Sequence, residues 1–252
     1  MIYQNIKSNS SSIETIKEQV KSNYFSHIPS EQARQIIGEI LLHYPSKESI
    51  NEFINTWFNL EEDTFMADGG RYRERTHAVF ASSVSDNSVC LLPYQPHSQT
   101  KYYNELNGGV ARYFKEIPEQ VLKNEIFERL MKFAYLLFSG LKLTNYFIEV
   151  HQFRIKAKEG VIGLPTLEGI HRDGISYVLM AMVKKNNVQG GETTIYDLDK
   201  QPLAQFTLMD TLDIAIVDDT KVFHGVSPVY KHSAIEGEAY RDILVITFKE
   251  TD

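Results

Sequence analysis

Apolar residues recur at two different spacings along this chain of 252 residues, and the spacing changes near Thr144. Before it the period is mostly helical. Ile13, Ile16, Val20 and Tyr24 follow Ser11-Ser12-Ile13-Glu14, which has capping-box spacing: a Ser hydroxyl accepts from the first turn and Glu14 reaches back. Pro29-Ser30 precedes a second stripe of Ile36, Ile37, Ile40 and Leu41, and Pro45-Ser46 a third of Ile50, Phe53, Ile54, Trp57 and Phe58. The longest helical pattern runs from Glu119 to Ser139, with Val121, Leu122, Ile126, Leu130, Phe133, Ala134 and Leu137 on one side and Gly140 suited to the C′ position. These stripes read as core packing. Arg71 to Ala81 alternates instead and reads as a strand that puts Arg71, Arg73 and Arg75 on one face.

After Thr144, runs rich in Val, Ile, Tyr, Phe and Thr alternate with Gly, Pro, Asn and Asp. Strands are predicted over Tyr146–Ala157, Ile170–Asp173 with Tyr177–Val183, Glu192–Leu198, Gln205–Leu208, Leu212–Val217, Lys221–Val229 and Asp242–Phe248. No long helical pattern separates them. The expectation is therefore an α+β fold: an antiparallel sandwich or jelly roll over 145–250, helices packed outside it mostly from the N-terminal half, including a helical layer over 1–65, and one domain over 1–252.

Composition narrows the function classes. Hydrophobic residues at 42% and charged residues at 23% are ordinary globular usage, so wholesale disorder is excluded. A net charge of -7 disfavours a nucleic-acid binder, which needs basic surface to displace counterions. The one cysteine, Cys90, excludes an intrachain disulfide, a Cys-rich zinc site and a self-held iron–sulfur cluster, leaving His, Asp and Glu as metal ligands. Cys90 itself reads as a small buried hydrophobe. Met1 to Ser12 is polar, without the apolar region of an export signal. Phe133 to Leu143 is interrupted by Ser139, Gly140 and Lys142 and falls short of the roughly 20 apolar residues of a membrane span. A cytoplasmic protein with no membrane partner is expected. Its oligomeric state is open, a homodimer included.

Three features could carry chemistry. In an extended segment the side chains of His171 and Asp173, two residues apart, reach one ion together. With 8 histidines and 33 acidic residues, about one such pair arises by chance, so the pair alone decides nothing. Phe223-His224-Gly225 lies in a later apolar segment, and in a jelly roll distant strands face each other, so His224 could complete a set of two histidines and one carboxylate. That set leaves metal positions open, as in non-heme Fe(II) oxygenases. Arg241 opens the last strand, where a buried guanidinium needs an anionic partner. The partner is either a bound carboxylate or one of Asp242, Asp218 and Asp219.

The ordered set Gly169-Ile170-His171-Arg172-Asp173-Gly174, Gly190-Gly191-Glu192-Thr193, Val222-Phe223-His224-Gly225-Val226 and Tyr240-Arg241-Asp242-Ile243-Leu244-Val245-Ile246-Thr247-Phe248 resembles the Fe(II)/2-oxoglutarate-dependent dioxygenases. It is similar in particular to the bacterial group that includes the free L-isoleucine 4-hydroxylases. The resemblance is strongest over 149–248 and extends more loosely through Arg71–Arg75 and Asn107-Gly108-Gly109. It implies a double-stranded β-helix, or cupin-like jelly roll. It makes His171, Asp173 and His224 the Fe(II) ligands, and Arg241 the partner of the distal carboxylate of 2-oxoglutarate, which chelates iron through its other end. Thr247 is a candidate near the co-substrate, or else an ordinary strand threonine. The implied reaction uses O2, releases succinate and CO2, and hydroxylates an unactivated C–H bond, with ascorbate as a support in vitro.

One position departs from the pattern. Related enzymes often carry a Tyr on the strand before His-x-Asp to help hold 2-oxoglutarate, and Ile155 stands there in this chain. On that strand His151, Phe153 and Ile155 share one face and Gln152 and Arg154 the other, with the inward face left open. His151 is a substrate candidate or a support behind the ligands. The arginine row is either a solvated edge guarded by charge or a carboxylate site, with the central Arg73 favoured. Glu168 pairs with a substrate ammonium or with a nearby lysine. His27, His43, His77, His97 and His232 read as surface or cap residues, and Gly190-Gly191 as a tight turn. The favoured function is hydroxylation of a small molecule, a free L-amino acid. The alternatives are a dioxygenase of a protein side chain or carrier-bound amino acid, and a cupin-like metal or sugar binder that uses no 2-oxoglutarate.

Overall fold

The structure is a computed structural model that describes residues 2–4, 11–41, 44–103, 106 and 108–251. In chain order the elements are β1 (Ile2–Gln4), α1 (Ser11–Asn23), β2 (Phe25–Ile28), α2 (Ser30–Leu41), α3 (Lys47–Asn55) with a 3-10 turn (Thr56–Asn59), β3 (Glu61–Glu62), β4 (Arg73–Ser83), β5 (Ser88–Leu91), α4 (Glu119–Leu122) and α5 (Glu125–Leu141). Then come β6 (Asn145–Ala157), β7 (Tyr177–Asn186), β8 (Val188–Gly190), β9 (Glu192–Tyr196), β10 (Pro202–Thr207), β11 (Ile214–Asp218), β12 (Phe223–Val226), β13 (Val229–Lys231) and β14 (Ala239–Thr251). A nine-stranded sheet runs β1-β5-β4-β6-β14-β7-β11-β2, with β3 on β4. A three-stranded sheet β10-β9-β12 and a pair β13-β8 complete the set, and the pairings between these strands are antiparallel.

Strand alternation separates the two larger of three core clusters. Tyr177, Leu179, Ala181 and Val183 of β7 and Leu244, Ile246 and Phe248 of β14 pack on the helices, around Ile126, Phe133 and Leu137 of α5. The intervening Val178, Met180, Met182 and Ile243 meet Ile195, Ala215, Val217 and Val222 in a second core between the large and the three-stranded sheet. On β6 the even positions Tyr146, Ile148 and Val150 join the helical core, and Gln152 bonds Thr76 and Thr56 at 2.8 and 3.0 Å. The odd positions from Phe147 to Ile155 line a cavity. His151, Phe153 and Ile155 therefore face inward. Trp57 ties the layers together, donating its indole N–H to the Phe153 carbonyl at 3.0 Å.

Several local expectations are corrected. Ser12 donates to Glu39 of α2 at 3.1 Å and Glu14 pairs with Lys17 at 2.6 Å, so neither forms the capping box; both lie inside α1. The helix expected over Glu119–Ser139 breaks at Lys123, because Asn124 caps α5 by accepting from the N–H groups of Ile126 and Phe127. Gly140 lies within α5, beneath the Lys17 side chain, and the cap is Lys142. Ile170–Asp173 forms one bridge rather than a strand, and Lys221–Val229 divides into β12 and β13. Arg71 precedes β4, is exposed and pairs with Glu62 at 3.1 Å, so only Arg73 and Arg75 share the strand face. Cys90 is half-buried. His43, Asn107 and the Leu41 side chain lie outside the described residues. Among the described residues no helix is long and apolar enough to cross a membrane.

Candidate active site

The segment after β6 returns across the cavity and meets β12 in a backbone bridge. His171 and His224 exchange both backbone hydrogen bonds, at 2.9 and 3.0 Å. Their rings consequently lie 4.5 Å apart. Gly225 permits this approach, since a Cβ there would stand 3.0 Å from the Gly169 carbonyl. Asp173 closes the group: its carboxylate is 3.7 Å from His171 Nε2 and 3.5 Å from His224 Nε2. Ligand-capable atoms of all three lie within 4.8 Å of one another.

Their surroundings hold them in a metal-binding state. His171 Nδ1 is 3.0 Å from the Gly169 carbonyl. A carbonyl only accepts, so Nδ1 carries a proton, which leaves Nε2 as the nitrogen that faces the group. Burial, and then His171 nearby, push His224 down to about 3, so its imidazole is neutral, the form a metal binds. Asp219 was not anticipated in this role. Its carboxylate accepts the backbone N–H groups of Asp173, Gly174 and Ile175 at 3.0, 2.8 and 3.2 Å and lies 3.8 Å from His224 Nδ1. It thus sets the loop that carries Asp173. Gln99, also unanticipated, donates its amide to Asp173 Oδ1 at 3.2 Å.

Arg241 points into the same cavity from β14. It is 2% exposed, and its Nε and Nη2 have no hydrogen-bond partner among the described residues. Burial pulls its guanidinium down to about 10, with only Asp242 opposing. None of the three aspartates considered as partners serves it. Asp242 points to the other face, bound twice by Arg154 at 2.7 Å; Asp218 accepts from Thr220; Asp219 serves the Asp173 loop. Ile155 is the β6 residue paired with Arg241 and presents an apolar side chain to the cavity. Thr247 lines the cavity and donates to the Glu149 carbonyl at 3.4 Å. It lies six residues along β14 from Arg241, roughly 20 Å at the strand rise, so one small dicarboxylate does not reach both and the co-substrate role for Thr247 is corrected.

The cavity, about 530 Å³, has a second polar wall. Asp63 holds Arg73 at 2.7 Å and lies 3.5 Å from Arg75. Arg75 lies over the rings of Phe114 and Phe153 and bonds His151 Nδ1 at 2.8 Å. Glu168 and Arg112 line the wall as well. The surface reading of His77 and His97 fails. They are 0% and 8% exposed, and their ring nitrogens reach Glu149 Oε1 at 3.0 and 2.8 Å, with His151 stacked on His77. The spacing in the sequence carried no sign of this, because sheet register brings β4 and β6 together and a loop adds His97. His27 is half-buried and stacked on Phe206, and His232 is half-buried.

The model of the 2OG-Fe dioxygenase family matches residues 55–247. The chain belongs to that family. The dioxygenase is 27% identical over 225 residues to an L-isoleucine-4-hydroxylase of Bacillus thuringiensis, covering 86% of this chain and 91% of that one. It is 26% identical over 164 residues to a 3(1)-hydroxy-L-isoleucine 4-dioxygenase of Pantoea ananatis, covering 63% and 66%. Its structure is similar to the crystal structure of a bsmA homolog from Methylobium petroleophilum PM1, with a TM-score of 0.85, 26% identity and coverage of 98% and 97%. Family membership sets aside the binder that uses no 2-oxoglutarate.

Dioxygenases of this family use Fe(II), 2-oxoglutarate and O2, and the cavity fits them. Two imidazoles and one carboxylate on one side of a point are a donor set for Fe(II) that leaves the opposite side open. The unpartnered Arg241 guanidinium supplies the buried cation that a dicarboxylate co-substrate requires.

Proposed function

We propose that this dioxygenase hydroxylates a C–H bond of a free L-amino acid, converting 2-oxoglutarate to succinate and CO2. The observation that carries the reading is one cavity with His171, Asp173 and His224 at its wall and an unpartnered Arg241 inside. The isoleucine-directed relatives support an amino acid as the substrate class. On this reading the two facing sheets over 145–250 are a double-stranded β-helix, the chain acts as one cytoplasmic domain, and ascorbate sustains turnover in vitro.

His171, Asp173 and His224 would hold Fe(II), and Arg241 would hold the distal carboxylate of 2-oxoglutarate. The bound iron and co-substrate, with O2, supply the oxidant that replaces C–H by C–OH. The protein's own part is position and dryness. Asp219 and Gln99 fix the Asp173 carboxylate, and Gly169 fixes the His171 tautomer. Val178, Met180, Ile243 and Val245 give the cavity apolar walls that exclude water from the reacting carbon. Arg73, His151 and Glu168 line the same cavity; Arg73 is neutralised by Asp63, and His151 is engaged by Arg75.

The test is a panel of the twenty L-amino acids with the purified protein, Fe(II), 2-oxoglutarate, ascorbate and O2. Succinate above the uncoupled background, with an amino acid gaining one oxygen, is expected for at least one member. Succinate at background for all twenty, with iron and 2-oxoglutarate bound, would overturn the free amino acid and favour a protein-bound one.

A further inference from the structure

The cavity contains a second buried guanidinium with no carboxylate in ion-pair contact among the described residues. Arg112 is 3% exposed; its Nη2 donates to Gln99 Oε1 at 2.9 Å, and its Nε has no partner among the described residues. Its backbone is joined to His97 by two hydrogen bonds, at 2.9 and 3.0 Å. His97 in turn bonds Glu149, which lines the cavity, at 2.8 Å. One residue therefore sets a fixed cation beside a fixed anion. Glu149 is held ionised by His77 and His97, both of which donate to the same oxygen and leave the other carboxylate oxygen for a further donor.

An α-amino acid bears a carboxylate and an ammonium on one carbon, so a dry cavity that selects it must present both opposite charges side by side. The other arginines of the cavity are engaged or distant: Arg73 and Arg75 share Asp63, and Arg241 stands at the far end of β14. The four residues His77, His97, Glu149 and His151 also come within metal-binding distance of one another. His77 and His97 are both hydrogen-bonded to one Glu149 oxygen, and the Arg75 guanidinium on His151 Nδ1 repels a cation, so a second metal is disfavoured. Gln99 accepts from Arg112 and donates to Asp173, so a carboxylate on Arg112 stands at a set distance from the iron ligands.

We propose that Arg112 and Glu149 form the subsite for the α-carboxylate and α-ammonium of the substrate, with Gln99 setting its distance from Asp173. The proposal rests on the free-amino-acid reading above. Its test is calorimetric binding to the anaerobic Fe(II)–2-oxoglutarate enzyme. The tightest-binding member of the twenty L-amino acids is compared with its carboxamide and with the same acid lacking the amino group. Each analogue is expected to bind at least about 30-fold more weakly, because it leaves one buried charge unpaired. Arg112→Gln should weaken the amino acid by a similar factor while leaving the carboxamide and 2-oxoglutarate affinities unchanged. Because these analogues are compared on the unaltered protein, a poorly folding variant does not decide the outcome. A carboxamide that binds as tightly as the acid, or an Arg112→Gln protein that loses affinity for 2-oxoglutarate instead, overturns the subsite. Absence of binding by all twenty overturns the amino-acid reading itself, a separate failure.

Discussion

Whether a buried carboxyl ionises depends on which cost is larger, desolvation or the loss of its donors. At Glu149 burial favours the neutral acid, but the hydrogen bonds from His77 and His97 win and hold it down at about 2, against an ordinary 4.5. A carboxyl with a depressed folded-state value stabilises the protein above its ordinary value, and that stability is lost as pH falls toward the folded one. The difference corresponds to about 3 kcal/mol. Urea unfolding should therefore show Glu149→Gln less stable than the parent at pH 6, with the gap shrinking by pH 3; a gap independent of pH would refute this account. Glu149 and His151 are spaced i, i+2 and so share a strand face, but that face also carries Phe147, Phe153 and Ile155 while the opposite one carries Gln152, Arg154 and Lys156, so alternation did not mark which face turns inward. Their partners His77 and His97 were not legible, because they arrive through long-range register and a loop.

At the scale of elements, periodicity located the long pieces and missed the short ones. β6 matches its expected run and β14 extends beyond both ends of Asp242–Phe248, while β2, β5 and β8, of three or four residues, are too short to show a period. The break before α5 was hidden because one side-chain cap at Asn124 outweighs a continuous apolar stripe. Gly190-Gly191 is not the tight turn expected but a kink where β8, paired with β13, runs on into β9, paired with β12, and the structure explains why both are glycine. Their φ values are +79° and +76°, and a Cβ on Gly190 would run into the Pro228 carbonyl. Gly190→Ala should cost about 2 kcal/mol or more in urea unfolding, through strain plus collision. Gly160→Ala, at φ +72° with open space around it, should cost less. Equal losses would show that the collision does not matter.

For the whole molecule, the chain order of His171, Asp173, His224 and Arg241 was readable because each stands in a short local motif. Their meeting was not, since it depends on a backbone bridge between two segments about fifty residues apart and on Asp219 beneath the loop. The substrate wall was least legible, being assembled from β4, β6 and the segments around His97 and Arg112. The central claim is that the three ligands hold Fe(II) and that Arg241 holds 2-oxoglutarate beside it. The most direct measurement is an anaerobic visible titration of the iron protein with 2-oxoglutarate. The account predicts a weak band from co-substrate chelation in the parent, its loss in Asp173→Ala, and its appearance in Arg241→Ala only at 2-oxoglutarate concentrations about tenfold or more higher. No band in the parent, or the same titration curve in all three proteins, would contradict it.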